Sequence, residues 1–202
     1  LIFLGRRHTA AQARSALEAA RRAGMENLSL DLMLCLPGQT LDKVARSIDF
    51  CLGLDLPHVS AYMLKIEEAT PFAARGIERQ MPDEETQRTL YLEACRRLEA
   101  GGLRQYEISN FARPGYECQH NLTYWDDGEY LGIGAGAHSF LDGRRFYYAP
   151  DAAGFCTGKG PVDDGPGGDF TEYAMLRLRL CEGISFKTLL KRYPQSDLQL
   201  LR

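Results

Sequence analysis

Residues 118–125 run Cys118-Gln119-His120-Asn121-Leu122-Thr123-Tyr124-Trp125, and they hold the chain's one Trp, one of its four His and one of its six Cys. The run has neither a clean helical nor a clean strand period, so it reads as a loop. Chemically versatile side chains gathered in a loop suggest binding. A soft thiol, an imidazole and two aromatic faces would suit a flat, apolar, metal-bearing ligand such as a haem. Taken alone, the plainer reading is a loop pinned to a sheet by Tyr124 and Trp125, with His120 capping a backbone group.

A second chemical signal lies upstream. In Leu28-Ser29-Leu30-Asp31-Leu32-Met33-Leu34-Cys35-Leu36 the leucines share one face and Ser29, Asp31, Met33 and Cys35 the other. That alternation predicts a strand. In a βα barrel the all-Leu face meets the helices and the mixed face points inward. Asp31 is then a carboxylate inside a barrel, near the strand's carboxyl end, where barrel active sites lie. A buried carboxylate needs a hydroxyl, an amine or a basic partner. The alternative is a structural ion pair or cap.

Other runs are weaker. Gly5-Arg6-Arg7-His8 could clamp a carboxylate through an Arg, although a solvated basic turn is the plainer reading. Gly132-Ile133-Gly134-Ala135-Gly136-Ala137 has the wrong spacing for a dinucleotide fingerprint. It reads as a tight, side-chain-poor strand that leaves room for something bulky. His138 follows it, with a packed imidazole as the plain reading. Glu67-Glu68 reads as a solvated loop, and Asp83-Glu84-Glu85 as the acidic first turn of a helix.

The positioning elements follow from caps and periods. Thr9, Thr40 and Asp83 can cap helices ending near Arg22, Leu54 and Ala100. Strands are expected at 28–36, 58–66 and 104–109. Strand and helix alternate with short connections, which argues for parallel βα units. After Asn110 the pattern changes to a Gly- and aromatic-rich stretch with a hairpin turn at Asp142-Gly143. Residues 154–168 read as a mobile glycine-rich connector, and 171–180 and 185–192 as helices of a small second domain.

A chain of 202 residues with 45% hydrophobic and 25% charged side chains can bury a substantial core. The net charge of −3 gives no case for nucleic acid. No apolar run reaches the ~20 residues a membrane helix needs, and no signal peptide is visible. The cysteines lie at 35, 51, 95, 118, 156 and 181, with no CxxC spacing. The thiols are therefore read as reduced and the protein as cytoplasmic. The chain starts at Leu1 and ends in Leu198-Gln199-Leu200-Leu201-Arg202, so both ends read as truncations of a longer protein, the second within a helix.

Several runs then combine in a fixed order. They are Gly5-Arg6-Arg7-His8-Thr9, Leu30-Asp31-Leu32-Met33 with Leu36-Pro37-Gly38-Gln39-Thr40, Tyr106-Glu107-Ile108-Ser109-Asn110-Phe111-Ala112-Arg113-Pro114-Gly115, His120-Asn121-Leu122-Thr123-Tyr124-Trp125 and Leu131-Gly132-Ile133-Gly134-Ala135-Gly136-Ala137-His138-Ser139. This order resembles the oxygen-independent coproporphyrinogen III oxidase-like family of radical SAM proteins. The HNxxYW run points to its haem chaperone branch.

The resemblance implies an α/β fold: the C-terminal part of an incomplete (β/α)6 barrel over residues 1–150, including the haem-site loop. Residues 151–202 would form a linker and the start of a small, mostly helical C-terminal domain. It implies S-adenosylmethionine, a [4Fe–4S] cluster and haem as cofactors. Arg6 and Asp31 would contact S-adenosylmethionine, as guanidinium to carboxylate and carboxylate to ribose hydroxyls. Lys65 and His138 would lie along the same ligand. His120, as iron ligand or pocket wall, would meet haem with Asn121, Tyr124 and Trp125. A haem-recipient protein is the implied partner, with any membrane association peripheral and through that recipient. Oligomeric state is not legible.

Two departures stand out. The family's CxxxCxxC cluster motif and GGGTP-type segment precede the matched runs, and this chain holds neither. The chain alone should therefore not cleave S-adenosylmethionine. Leu34-Cys35 also replaces the family's usual Tyr-Gly, which could place a thiol on the inward face and crowd the ligand. Three functions are compatible: a haem carrier, a radical decarboxylase of coproporphyrinogen III propionates, and a truncated barrel piece without activity of its own.

Overall fold

A computed structural model describes residues 1–194; the helix expected at residues 198–202 lies outside them. The chain folds into two compact units, Leu1–Glu117 and a second beginning at Cys118.

In the first unit, Thr9 and Gln12 form a reciprocal capping box that opens helix α1 (Ala10–Arg22). Strand β1 (Ser29–Leu34) leads to helix α2 (Leu41–Leu52), capped by Thr40, and then to strand β2 (His58–Met63). A short helix α3 (Pro71–Ala74) precedes the long helix α4 (Glu84–Ala100), capped by Asp83. Strands β3 (Arg104–Glu107) and β4 (Asn110–Ala112) close the unit. The three expected caps thus open the three expected helices.

β1 and β2 pair in parallel, as expected of a βα unit. The rest departs from that pattern. The sheet runs β1-β2-β4-β3, with β4 antiparallel to both neighbours. The third expected strand, 104–109, is therefore a hairpin rather than one strand. Ile108 and Ser109 make the turn, and β4 takes the place beside β2.

The leucine face of β1 meets the helices as expected. Leu34, Val59, Ala61 and Phe111 pack with Val44, Ile48 and Cys51 of α2 and with Leu90, Ala94 and Leu98 of α4. Burying each Val, Leu, Ile or Phe side chain there is worth roughly 1.5–3 kcal/mol, so this layer fixes the plane of the sheet. The opposite face carries Ser29, Asp31 and Met33 on β1 and His58, Ser60 and Tyr62 on β2 in matching register.

In the second unit, helix α5 (Gln119–Trp125) is followed by the β5–β6 hairpin (His138–Leu141 and Arg144–Tyr147). The turn falls at Asp142-Gly143, both with positive φ, as expected. Helix α6 (Ala152–Cys156) leads to strand β7 (Val162–Pro166), and helices α7 (Phe170–Arg177) and α8 (Phe186–Arg192) follow. Two expectations fail here. Residues 131–137 form a turn-rich loop rather than a strand, with only Tyr130 bridging to Phe140. Residues 154–168 are no loose connector: β7 pairs with β6 from Val162 to Pro166. That pairing carries one sheet across residue 150.

Gly132 shows why this loop needs glycine. A Cβ built there would stand 2.1 Å from the His138 carbonyl oxygen. Its N–H also donates to Ser139 Oγ at 3.0 Å. Gly132→Ala is expected to cost roughly 1–2 kcal/mol, measurable as a lower urea midpoint with an unchanged slope.

Candidate functional site

The run that opened the sequence reading is a helix, not a loop. Its seven residues are too few for a visible period, and the interactions that hold it are non-local. Within it, His120 and Tyr124 are one turn apart and meet edge to face at 4.7 Å. Tyr124 also meets Tyr130 edge to face at 4.5 Å. His120 is exposed, while Asn121, Tyr124 and Trp125 are half-buried. The result is an open imidazole backed by an aromatic ladder, chemically competent to meet a flat ligand. Trp125 lies on another flank under the Arg179 guanidinium, 4.1 Å from the ring centroid.

The lower end of α5 is clamped. Asp127 follows the helix in a left-handed conformation, φ 51°, with its side chain wholly buried. Its Oδ2 accepts from Arg192 Nη2 at 2.7 Å, and Arg145 Nη2 approaches Oδ1 at 3.5 Å. Arg192 also donates to the Asp126 and Asp127 carbonyls, at 3.1 and 3.0 Å. Arg177 pairs with Asp126. Burial pushes the Asp127 carboxyl up from its ordinary range, and Arg192 and Arg145 pull it back. These partners lie up to 66 residues away, so no local pattern announces them.

In the first unit, Asp31 is exposed rather than enclosed. It stands on the edge strand of the sheet, on the face away from α2 and α4. Beside it runs a chain that sequence reading missed. Ser29 Oγ meets His58 Nδ1 at 2.7 Å, and His58 Nε2 meets the Tyr106 hydroxyl at 2.9 Å. Glu107, fully buried, accepts from the Ser109 N–H at 2.8 Å and from the Asn110 amide. A register shift between Gln105 and Glu107 lets Gln105 reach Tyr91 of α4 while Tyr106 turns to His58.

Burial holds His58 below its ordinary range, and the carboxylates of Asp31, Glu107 and Glu117 partly offset this. A neutral folded His58 binds fewer protons than the unfolded chain just below pH 6.5. Its stabilising share is therefore full above that pH and declines as the pH falls. Urea midpoints from pH 7.5 down to 5.5 should fall less steeply in His58→Gln than in the parent.

Lys65 and Gly5, the neighbour of Arg6, line one cavity of about 370 Å³ with Phe3 and Phe72, whose rings meet at 5.5 Å. Lys65 itself is salt-bridged to Glu67 at 2.8 Å and exposed. The Arg6 segment and Lys65 are thus brought together. His138 belongs to the second unit, where it stacks on Tyr147 at 5.1 Å.

The expected crowding by Cys35 does not occur. Its thiol is buried and points to the Gln87 carbonyl of α4, 3.6 Å away. Cys35 has φ 61°, a conformation natural to glycine. No disulfide joins cysteines among the described residues. Among the described residues no three His, Cys, Asp or Glu side chains gather to hold a metal ion. These residues therefore do not fit an iron–sulfur cluster. Among the same residues no helix is long and apolar enough to cross a membrane.

The fold is that of part of a radical SAM protein. It matches coproporphyrinogen III oxidase (HemN) from Escherichia coli, titled a radical SAM enzyme, with a TM-score of 0.76 at 16% identity, over 97% of this chain and 50% of that one. No family model matches the chain. Among curated relatives, the haem chaperone HemW of Bacillus subtilis is 44% identical over 145 residues, 70% of this chain and 38% of the relative. That of Lactococcus lactis is 42% identical over 146 residues, 71% and 38%. That of Mycobacterium tuberculosis is 34% identical over 194 residues, 91% and 50%. The chain belongs to the HemN-like radical SAM family, in its HemW branch. It spans between about a third and a half of the length of these relatives.

Proposed function

We propose that the protein is a haem chaperone: it binds haem at α5 and hands it to a haem-recipient protein in the cytoplasm. The observation that carries this reading is the exposed His120 backed by Tyr124 and Tyr130. Neutral imidazole is a common ligand to haem iron. Tyr124, Trp125 and Asn121 would wall the porphyrin. An exposed ligand suits a carrier, because haem must leave again. The test is absorption titration of haem into the protein, then transfer to an apo-haemoprotein. A Soret band that moves to the acceptor supports the reading; haem retained, or never bound, contradicts it.

S-adenosylmethionine is the proposed second ligand, on the first unit. Arg6 would take its carboxylate and Asp31 its ribose hydroxyls, with Lys65 alongside. The open carboxylate of Asp31 and the cavity beside Gly5 fit such a molecule. Bound there, it would supply a sulfonium centre. This chain's own residues bind and orient it, and they do not fit the cluster that would cleave it. The His120–Trp125 run favours the carrier over the oxidase. The oxidase reading requires protoporphyrinogen to form anaerobically with reductant.

We propose residues 151–202 as a linker and the start of the small C-terminal domain, with β7 of that segment paired to β6 of the portion before it.

A further inference from the structure

The haem reading gives the porphyrin one flank, the His120–Tyr124–Tyr130 ladder, and leaves the other unassigned. The second unit holds another exposed imidazole, His138, at the start of β5. Its ring stacks on Tyr147, its register partner on β6, with centroids 5.1 Å apart and planes 22° apart. That contact steadies one face of the imidazole, and the residue is exposed nonetheless.

The strand register places His138 on the side of the ladder. Tyr130 and Phe140 exchange N–H···O bonds in both directions, each 2.9 Å, so they are directly opposed. Opposed residues of an antiparallel pair share a face, and so do residues two apart along a strand. Tyr130, Phe140 and His138 therefore share one face. Arg145, opposite Phe140, lies there too: its guanidinium covers the Phe140 ring at 4.4 Å, and its Nη1 donates to the Tyr130 hydroxyl at 3.3 Å.

Tyr130 and His138 are diagonal neighbours, a relation that sets Cα atoms about 7–8 Å apart. A flat ring in contact on both faces holds its neighbours about 7 Å apart, twice the ~3.5 Å contact distance between carbon atoms. Gly132, beside His138, brings no side chain to this gap, and its close seat against the His138 carbonyl admits none. A macrocycle several rings wide can reach from His120 to the gap, since the two ring contacts between His120 and Tyr130 span only 4.7 and 4.5 Å.

We propose that His138 is the second wall of the porphyrin site: the edge of the macrocycle lies between Tyr130 and His138 while the iron meets His120. The inference rests on the haem reading and names a further contact of the same site. His138 acts through its ring face, not through the iron.

The test measures haem by Soret absorption and iron-free protoporphyrin IX by its fluorescence, in the parent, His138→Ala and His138→Phe. His138→Ala should weaken both ligands about tenfold. Its haem Soret band should stay where the parent's is, because His120 still holds the iron. His138→Phe should keep the affinity for both ligands, because a flat face remains. Unchanged affinities in His138→Ala would overturn the proposal, and so would equal losses in the two variants. A loss confined to haem, with a moved Soret band, would also overturn it by making His138 an iron ligand. One measurement needs no variant: the ring current of bound iron-free porphyrin should shift the His138 Cε1 proton resonance, and an unmoved resonance would overturn the proposal. Failure of the parent to bind either ligand would instead overturn the haem reading itself.

Discussion

Asp127→Ala should destabilise the second unit by about 3 kcal/mol, the lower end of the cost of breaking a buried ion pair. The lower end applies because Arg145 and Arg192 are 24% and 36% exposed and can recover part of their hydration. Asp127 joins three elements at once: the end of α5, β6 through Arg145, and α8 through Arg192. Its loss also frees Arg192 from the geometry in which it donates to the Asp126 and Asp127 carbonyls just past α5. Trp125 is the chain's one tryptophan, so its fluorescence reports on this unit alone. The transition followed at Trp125 should move to lower urea. Asp127→Asn keeps the shape but not the charge and should recover only part of the loss. An unmoved Trp125 transition would show that the clamp carries no net stability.

The second large effect concerns binding. His120→Ala should weaken haem binding by about a hundredfold, ~2.7 kcal/mol, because an iron ligand is lost outright. Folding should be almost untouched, because His120 is exposed and gives up only its edge contact to Tyr124. Tyr124→Ala should behave otherwise. It removes the centre of the His120–Tyr124–Tyr130 ladder and should lower both stability and affinity. The pair of variants separates ligation from packing.

Much of the frame was legible from local chemistry. Thr9, Thr40 and Asp83 announce helix starts because a hydroxyl or carboxylate there satisfies orphan N–H groups. Asp142-Gly143 announces its turn because both residues tolerate positive φ. The leucines of β1 announce a buried face because the strand period is two. Non-local arrangements were not legible. β4 has three residues, and its turn at Ile108-Ser109 lacks any Asn-Gly signal. α5 is short and built from weak helix formers, and Arg192, Arg145 and Tyr130 hold it from distant positions. Asp31 was read as enclosed, but its strand stands at the edge of the sheet. Ser29, His58 and Tyr106 come together only through the β1–β2 register and the irregularity in β3.

The site follows the same division. His120, Tyr124 and Trp125 stand out by residue type, but alone they read as a pinned loop, and only the order of the neighbouring runs turned the reading to haem. The exposure of His120 and the pinning of the helix end by Asp127 are properties of the fold.

The most direct test of the haem reading is a titration of ferric haem into the protein and its His120→Ala variant, followed in the Soret region. The expected result is a saturable, shifted Soret band in the parent and a roughly hundredfold weaker, unshifted one in the variant. Identical bands and affinities in the two proteins would contradict it.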